Sequence, residues 1–134
     1  MILVDADPMV ALVDRSDQHH VACREALARI DEPLATVMPA FTEAMYLLSD
    51  VPGGQVALWG LVEEAPIRFL DLGEADLQRI RELMETYADQ PMDLADAALV
   101  RAAEREGIEK IFTVDRRDFT VYRINGQRAF ELIP

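Results

Sequence analysis

The hydrophobic positions of this chain alternate between short apolar runs and stripes with helical spacing. Ile2–Val4 is fully apolar, which is typical of a central parallel strand covered on both faces. Further strands are predicted over Leu34–Val37, Ile67–Leu70, Lys110–Val114 and Ala129–Ile133. Strands that alternate with helices in this way predict an α/β fold, a three-layer α/β/α sandwich with a central, mostly parallel sheet.

Turn-forming and capping residues between these runs indicate where the predicted helices begin and end. Asp7 before Pro8 predicts an N-cap and a helix over residues 8–13, and Ser16-Asp17 opens the next helix. A third helix begins after Pro39 and ends before the turn at residues 52–54. The remaining predictions are helices over 56–63 and 77–87, a helix from Asp93 to Gly107, and a loop over 116–119.

The composition predicts one domain over residues 1–134, because 51% hydrophobic residues suffice for a single core at this length. No apolar run approaches the roughly 20 residues needed to span a bilayer. The start of the chain lacks the basic residues of a secretory signal, and the lone Cys23 cannot form an internal disulfide. We therefore expect a cytoplasmic protein with no membrane association.

Four acids lie where predicted strands end or helices begin: Asp5, Glu43, Asp96 and Asp115. The carboxyl ends of parallel strands share one edge, where open α/β sheets bind ligands. Two carboxylates about 4 Å apart repel by roughly 4 kcal/mol at an effective dielectric near 20, so they need a cation or one protonates. Mg²⁺ and Mn²⁺ are the ions that prefer oxygen ligands. These positions predict a metal-dependent phosphodiesterase.

Each acid also has a purely structural explanation. Asp5 and Asp115 could be turn or capping residues, and Glu43 could be a solvated helix residue. Asp7 could cap the helix before Pro8, or bind a second ion. Asp93 is three residues before Asp96, so Asp93 could be an N-cap with Asp96 in the first turn. Thr113, before Asp115, is predicted to hydrogen-bond a nearby carboxylate or water.

The net charge of −12 opposes general nucleic-acid binding, which usually uses a basic surface. All basic residues except Lys110 are arginines, whose planar guanidinium suits phosphate. Arg116, Arg117 and Arg123 follow the last predicted acid and are the candidates for phosphate contacts. The alternative is a solvated loop in which these charges pair with Asp118. His19 and His20 are expected to be surface or capping residues.

The ordered set of motifs resembles the PIN-domain ribonucleases, in particular the VapC-like toxins. The similarity is carried by ILVDADPMVAL, MPAFTEAMYLL, MDLADAALVRAAE and IFTVDRRDF, which span nearly the whole chain. Asp5, Glu43, Asp96 and Asp115 match the four acids of the family, whereas Asp93 has no firm counterpart. Asp7 departs from the family pattern, which often has a hydroxyl residue or glycine there.

This resemblance implies Mg²⁺- or Mn²⁺-dependent cleavage of RNA. Asp5, Asp96 and Asp115 would then be direct or water-mediated metal ligands, and Glu43 would orient or deprotonate the attacking water. It further implies a homodimer and a cognate antitoxin whose tail blocks the acidic cleft by inserting an arginine. The apolar residues Phe41, Met45, Trp59 and Leu61 are candidates for such a surface, with a role in the core as their alternative.

Two other functions remain open at this point. Asp5-Ala6-Asp7 after the first strand resembles the acid pair of haloacid-dehalogenase-type phosphatases, which also need a lysine near the site. Lys110 begins its strand rather than ending it, which argues against this reading. A PIN-like module that only binds a partner is the second alternative, and the intact set of four acids argues against it.

Overall fold

The computed structural model describes residues 1–134. Five parallel strands form the main sheet in the order β3-β2-β1-β4-β7, and β5 and β6 form a separate antiparallel pair. The strands are β1 Ile2–Val4, β2 Leu34–Val37, β3 Arg68–Leu70, β4 Lys110–Phe112, β5 Arg123–Ile124, β6 Arg128–Ala129 and β7 Glu131–Ile133.

Helices flank the sheet and provide every connection between its parallel strands. The long α6 shows why these boundaries occur: the Asp93 side chain caps its first turn, and Gly107 ends it in the left-handed region at φ 67°. The helices are α1 Ala6–Val13, α2 His20–Arg29, α3 Met38–Leu47, α4 Gly54–Glu64, α5 Glu74–Thr86, α6 Leu94–Glu106 and α7 Arg116–Val121.

The strand order reverses between β1 and β4. From β1 the chain proceeds outward through β2 to β3, then crosses back to β4 and continues to β7 on the other side. Right-handed crossovers in opposite directions put their helices on opposite faces, which gives the predicted three layers. The point between β1 and β4 is therefore a topological switch point, where such sheets form a crevice at their carboxyl edge.

The core is one continuous apolar cluster on both sides of the sheet. Every residue of β1 and β2 is buried, whereas the edge strands β3 and β7 are partly exposed. Cys23 is buried in this cluster as an ordinary apolar residue, and burial raises the pKa of its thiol to about 11. None of the helices has the length and apolar content to cross a membrane.

Four local predictions are wrong. Helix α2 begins at His20, and Ser16-Asp17, which were predicted to open it, lie in the turn before it. Residues 116–119 lie in helix α7 rather than in a loop, because Asp115 caps a short helix there. The predicted strand 129–133 is divided between β6 and β7, since the chain first turns back at Asn125-Gly126 to form a hairpin. The first helix begins at Ala6, so Asp5 is its N-cap and Asp7 lies in its first turn.

Candidate active site

Asp5 is fixed at the switch point by two hydrogen bonds. It follows β1 directly, and its Oδ1 accepts a hydrogen bond of 2.7 Å from the backbone N–H of Ala6. Its Oδ2 accepts a second bond of 2.9 Å from the hydroxyl of Thr113, which follows β4. The side chain is buried, with 5% of the residue exposed. The adjacent strands β1 and β4 thus deliver a carboxylate and its donor to the same edge.

Thr113 also connects Asp5 to Asp115. Its hydroxyl oxygen accepts a 3.0 Å hydrogen bond from the backbone N–H of Asp115. The predicted contact of Thr113 with a carboxylate is confirmed by its bond to Asp5. Asp115 in turn caps α7, since its Oδ1 accepts a 3.2 Å bond from the N–H of Asp118. The structural role predicted as an alternative for Asp115 is therefore real. The Asp115 side chain also contacts the carboxyl of Asp118, whose pKa is raised first by burial and then by this neighbour.

Asp96 is the second buried acid at this edge, with 8% of the residue exposed. It lies in the first turn of α6, and its backbone N–H donates a 2.8 Å hydrogen bond to Oδ1 of Asp93, the N-cap. Its Oδ2 accepts a 3.0 Å hydrogen bond from the hydroxyl of Tyr122. Asp93 itself is exposed, so the pair places one acid in the interior and one at the rim.

Glu43 and Asp7 complete the group from two neighbouring helices. Glu43 lies about one turn into α3 and is half-buried, and Asp7 is half-buried in the first turn of α1. Both carboxylates are near enough to raise the pKa of Asp5 by repulsion. The pKa of Asp7 is in turn raised first by burial and then by the charges of Asp115 and Asp17. The residues predicted as separate candidates therefore form one electrostatic cluster.

The charged forms of the two buried acids are strongly disfavoured. Burial raises the pKa of Asp5 to about 7, with the charges of Asp7 and Glu43 adding to the effect. The pKa of Asp96 is raised to about 8, first by burial and then by the charges of Asp93, Asp5 and Asp115. Burial also raises the pKa of Glu43. The cluster favours any bound positive charge or proton.

The chain treats its other buried acids differently. Asp76, in α5, receives hydrogen bonds from Arg101 at 2.8 Å and Arg105 at 3.0 Å. Burial alone would raise the pKa of Asp76, but these two arginines lower it below its usual value. Glu104 has a comparable two-bond pair with Arg79 at 2.9 Å. In contrast, no salt bridge reaches the cluster acids, which are Asp5, Asp7, Glu43, Asp93, Asp96 and Asp115.

The donor set suits a hard divalent cation. It consists of carboxylate oxygens only, with the hydroxyls of Thr113 and Tyr122 behind them. No three acidic, histidine or cysteine side chains are already close enough to share one ion. Binding would therefore require at least one carboxylate to rotate inward, which is open to the partly exposed Asp7, Glu43 and Asp115.

The arginines predicted to contact phosphate are not equivalent. The Arg123 guanidinium donates to the carbonyls of Thr120, Val121 and Tyr122, where it caps the end of α7. Arg116 donates to the carbonyl of Pro134, and Arg117 is exposed. None of the three forms a salt bridge with Asp118, although the charge of Arg117 is near enough to lower the pKa of Asp118, which burial raises. The phosphate role stays a prediction, with Arg117 the least engaged.

The two histidines have structural positions, whereas Tyr122 contributes a contact to the site that the sequence did not predict. His19 precedes α2 without a side-chain cap, and Nδ1 of His20 lies 2.6 Å from the carbonyl oxygen of Ala11, so both have structural positions as predicted. Tyr122 was not predicted as part of the site. Its contact with Asp96 depends on how the segment after α7 folds back, and no local pattern signals that.

Comparison with known proteins identifies relatives over the same length. The sequence profile of the PIN domain family matches residues 2–125. Ribonuclease VapC26 of Mycobacterium tuberculosis is 28% identical over 135 residues, covering 99% of this chain and 100% of the relative. The crystal structure of VapC20, a sarcin–ricin loop cleaving toxin of Mycobacterium tuberculosis, has a TM-score of 0.83 at 17% identity and covers 100% of both chains.

A toxin–antitoxin complex from Klebsiella pneumoniae is a further structural neighbour. It has a TM-score of 0.68 at 18% identity, covering 90% of this chain and 92% of the other. At these identities the two structural neighbours establish the fold. The α/β/α architecture predicted from the strand and helix pattern is thereby confirmed.

Proposed function

This chain belongs to the PIN domain family, and on that premise we propose that it is a VapC-type toxin endoribonuclease. Its residues 1–134 would act as one PIN-like domain that hydrolyses RNA phosphodiester bonds. Both the curated relative, a ribonuclease, and the two structural neighbours, a toxin and a toxin–antitoxin complex, support this assignment. RNA as the substrate is consistent with a cytoplasmic location.

The observation that carries the proposal is the pair of buried carboxylates without a cationic partner. Asp5 and Asp96 lie at the switch point of the sheet and repel each other, in a chain that pairs buried Asp76 with two arginines. Leaving buried carboxylates charged and unpaired costs several kcal/mol, so a fold that keeps them there must either protonate them or bind a compensating cation. We propose that this cation is Mg²⁺ or Mn²⁺.

Each acid has a proposed role that follows from its position. Asp5, Asp96 and Asp115 would hold the ion directly or through water, and Glu43, on the facing helix, would orient the attacking water or accept its proton. Asp7 and Asp93 lie at the rim and are candidates for a further ligand. When bound, the ion would polarise the scissile phosphate and lower the pKa of its water.

The surrounding residues would prepare this site for substrate. Thr113 holds Asp5 and the backbone of Asp115 in a fixed relation, so two proposed ligands are positioned before any ion arrives. The exposed Arg117 is available to meet a phosphate near the site. Arg116 and Arg123 can contribute positive charge, although each already donates to backbone carbonyls.

The phosphatase alternative lacks its essential lysine. Lys110 pairs with Ile2 in the sheet register, at the opposite end of the strands from Asp5. Its Nζ forms a salt bridge with Glu32 there. A lysine at the amino edge cannot reach a group bound at the carboxyl edge, so Asp5 and Asp7 do not form a phosphatase pair in this fold.

We also propose a cognate antitoxin and a homodimer as partners. An arginine from an antitoxin tail would supply Asp5 and Asp96 with the charge that Arg101 and Arg105 supply to Asp76. Apolar side chains are exposed on α3 and α4 and would suit a partner surface: Tyr46 76%, Leu47 43%, Val56 76% and Trp59 55%. We call these four residues the α3–α4 patch.

Phe41 is buried and supports Trp59 by an edge-to-face contact at 5.0 Å, while Met45 and Leu61 are partly buried against the core.

An RNA cleavage assay tests the proposed reaction. We expect Mn²⁺ or Mg²⁺ to activate cleavage of single-stranded and total RNA, and EDTA to abolish it. Asp96→Asn should lower the cleavage rate by at least about 100-fold, since it removes a proposed ligand rather than an outer contact. Asp31→Asn is the matched control, because Asp31 is exposed before β2, at the opposite edge of the sheet.

Two results would contradict the proposal. Full cleavage in EDTA, or by the Asp96→Asn variant, would remove the ion or Asp96 from the mechanism. An absence of cleavage on every RNA, in a protein that binds its antitoxin, would favour the alternative of a catalytically silent partner-binding module.

A further inference from the structure

We propose that Tyr122 is a positioning residue for the metal site, acting through Asp96. Its hydroxyl would fix Oδ2 of Asp96 so that Oδ1 remains available to the cation. This inference rests on the proposed function to the extent that Asp96 is taken as a metal ligand. Its test is therefore built on ion binding, which can be measured without any RNA substrate.

The contact is direct and isolated from bulk water. The Tyr122 hydroxyl donates to Oδ2 of Asp96 at 3.0 Å, and Tyr122 is completely buried, at 0% exposed. Oδ1 of Asp96 accepts no hydrogen bond from the protein, so Tyr122 is the one side chain that orients this carboxylate. Once Asp96 is deprotonated to bind a cation, a hydrogen bond to this charged and buried acceptor is strong enough to select one rotamer.

The tyrosine ring is itself held in place. Tyr87 and Phe119 contact it edge-to-face, with ring centroids at 5.0 and 5.2 Å. Phe119 is braced in turn by Phe130 at 5.6 Å. The Tyr87 hydroxyl accepts a 3.0 Å hydrogen bond from the backbone N–H of Arg123, the residue after Tyr122. Packing on both sides thus prepares the hydroxyl position before the ion binds.

Thr113 provides an internal comparison. Each of the two buried acids of the cluster accepts one side-chain hydroxyl on its Oδ2, Asp5 from Thr113 and Asp96 from Tyr122. The two hydroxyls come from β4 and from the end of α7, segments that do not contain the acids they hold. Hydroxyl support from outside the element that carries the ligand is the arrangement expected of outer contacts to a metal site.

The competing explanation is that Tyr122 only fills the core and its hydroxyl takes the nearest acceptor. Buried tyrosines generally do find a partner for their hydroxyl. That explanation predicts a loss of stability on removing the hydroxyl but no specific loss of ion affinity. Tyr87 offers the matched control, because its hydroxyl lies in the same aromatic cluster but bonds to backbone instead of a carboxylate.

Isothermal titration with Mn²⁺ separates the two explanations. We expect Tyr122→Phe to weaken Mn²⁺ binding by about 10-fold or more, the usual cost of losing an outer hydrogen bond. Tyr87→Phe should leave the affinity within about twofold, because it keeps the ring that packs on Tyr122 and removes only a hydroxyl that bonds to backbone. Should Tyr122→Phe bind Mn²⁺ as tightly as Tyr87→Phe does, the inference is overturned. The Mn²⁺-induced rise in Tm gives the same comparison if either variant is poorly soluble.

A double-mutant cycle tests whether Tyr122 acts through Asp96. In the Asp96→Asn background, Tyr122→Phe should weaken Mn²⁺ binding by much less than in the wild type. An equal, additive loss would overturn the inference. Wild-type protein that binds Mn²⁺, with the predicted loss in Tyr122→Phe but no RNA cleavage, would support the inference while contradicting the proposed function. Wild-type protein that binds no Mn²⁺ would overturn both.

Discussion

Asp5, Asp76 and Asp96 are the buried acids of the chain, and their partners determine how each ionises. Asp76 has two arginines, which lower its pKa despite its burial. Asp5 has a hydroxyl and a backbone donor and Asp96 has a hydroxyl donor, but neither has a cation, and burial raises their pKa values to about 7 and about 8. Acids that are buried to a similar extent therefore have pKa values shifted in opposite directions within one small domain.

The stability of the metal-free protein should depend on pH for this reason. Asp5 and Asp96 bind protons in the folded state more tightly than in the unfolded chain, where their pKa is 3.8. Their stabilising contribution is complete below that value and is lost as the pH rises through about 7 and about 8. We expect the free energy of unfolding, measured with urea in EDTA, to fall between about pH 5 and pH 9.

Asp96→Asn provides the control for this pH effect. It removes one titrating group and its repulsion, so the metal-free variant should be as stable as wild type near pH 5 and more stable near pH 9. Asp76 acts in the opposite sense, but only as the pH falls toward its lowered pKa, outside this window. A wild-type protein equally stable at both ends of the range would contradict the assigned burial effect.

The candidate acids could be predicted from the sequence because each follows a strand or opens a helix. Asp5, Asp96 and Asp115 lie at such positions, and the register of β1 and β4 brings their ends together. Tyr122 could not be found in this way. Its hydroxyl meets Asp96 across 26 residues of chain, and a lone tyrosine in an apolar segment predicts only burial.

At the scale of elements, α6 connects the site to the rest of the fold. Its first turn carries Asp96, and further along it Arg101 and Arg105 reach Asp76 in α5. Asp76 also accepts a 3.0 Å hydrogen bond from the N–H of Gly73, where α5 begins. The pairing of α5 and α6 is therefore secured by this buried carboxylate together with the Arg79–Glu104 pair.

Asp76→Asn should destabilise the protein measurably. It leaves Arg101 and Arg105 partly buried without the carboxylate that they share. We expect this to cost on the order of 2 kcal/mol of unfolding free energy. The cost is smaller than for a fully buried pair because the arginines are partly exposed. Urea unfolding gives the value. Glu85→Gln is the control on the same helix, since the Arg81–Glu85 pair is exposed and should be worth less than about 1 kcal/mol. Equal effects of the two substitutions would contradict this account.

The long helix α6 was predicted from the sequence, whereas the short helix α7 and the hairpin strands after it were not. Helix α6 was predicted with its cap at Asp93 and its end at Gly107, because thirteen helical residues carry a clear pattern between two strong signals. Helix α7 is only six residues long and depends on the Asp115 side chain, so periodicity cannot reveal it. The strands of the following hairpin have two residues each, too few for alternation, although Asn125-Gly126 is a strong turn signal.

At the scale of the whole molecule, the fluorescence of the single tryptophan can test whether a partner binds the α3–α4 patch. Trp59 is 55% exposed, so its fluorescence should shift to shorter wavelength when a partner covers it. We expect this shift on titration with the proposed cognate antitoxin. Trp59→Ala should weaken that complex by about 2 kcal/mol or more, as for an aromatic hot spot.

Val21→Ala is the control for that measurement. Val21 is 65% exposed on α2, outside the α3–α4 patch, and its truncation should leave the affinity unchanged. A complex that forms without any change in Trp59 emission would place the antitoxin on another surface. Sedimentation of the protein alone over a range of concentrations would test the homodimer separately.

The sheet order has a consequence for the protein while it is being synthesised. Asp5 lies beside Thr113, which is 108 residues later in the chain, and β1 lacks its second neighbour, β4, until that segment has been made. A growing polypeptide on the ribosome therefore carries the first acid long before it carries the others. An enzyme directed against RNA would remain inactive toward the ribosome that is translating it until the segment with Thr113 and Asp115 had been synthesised.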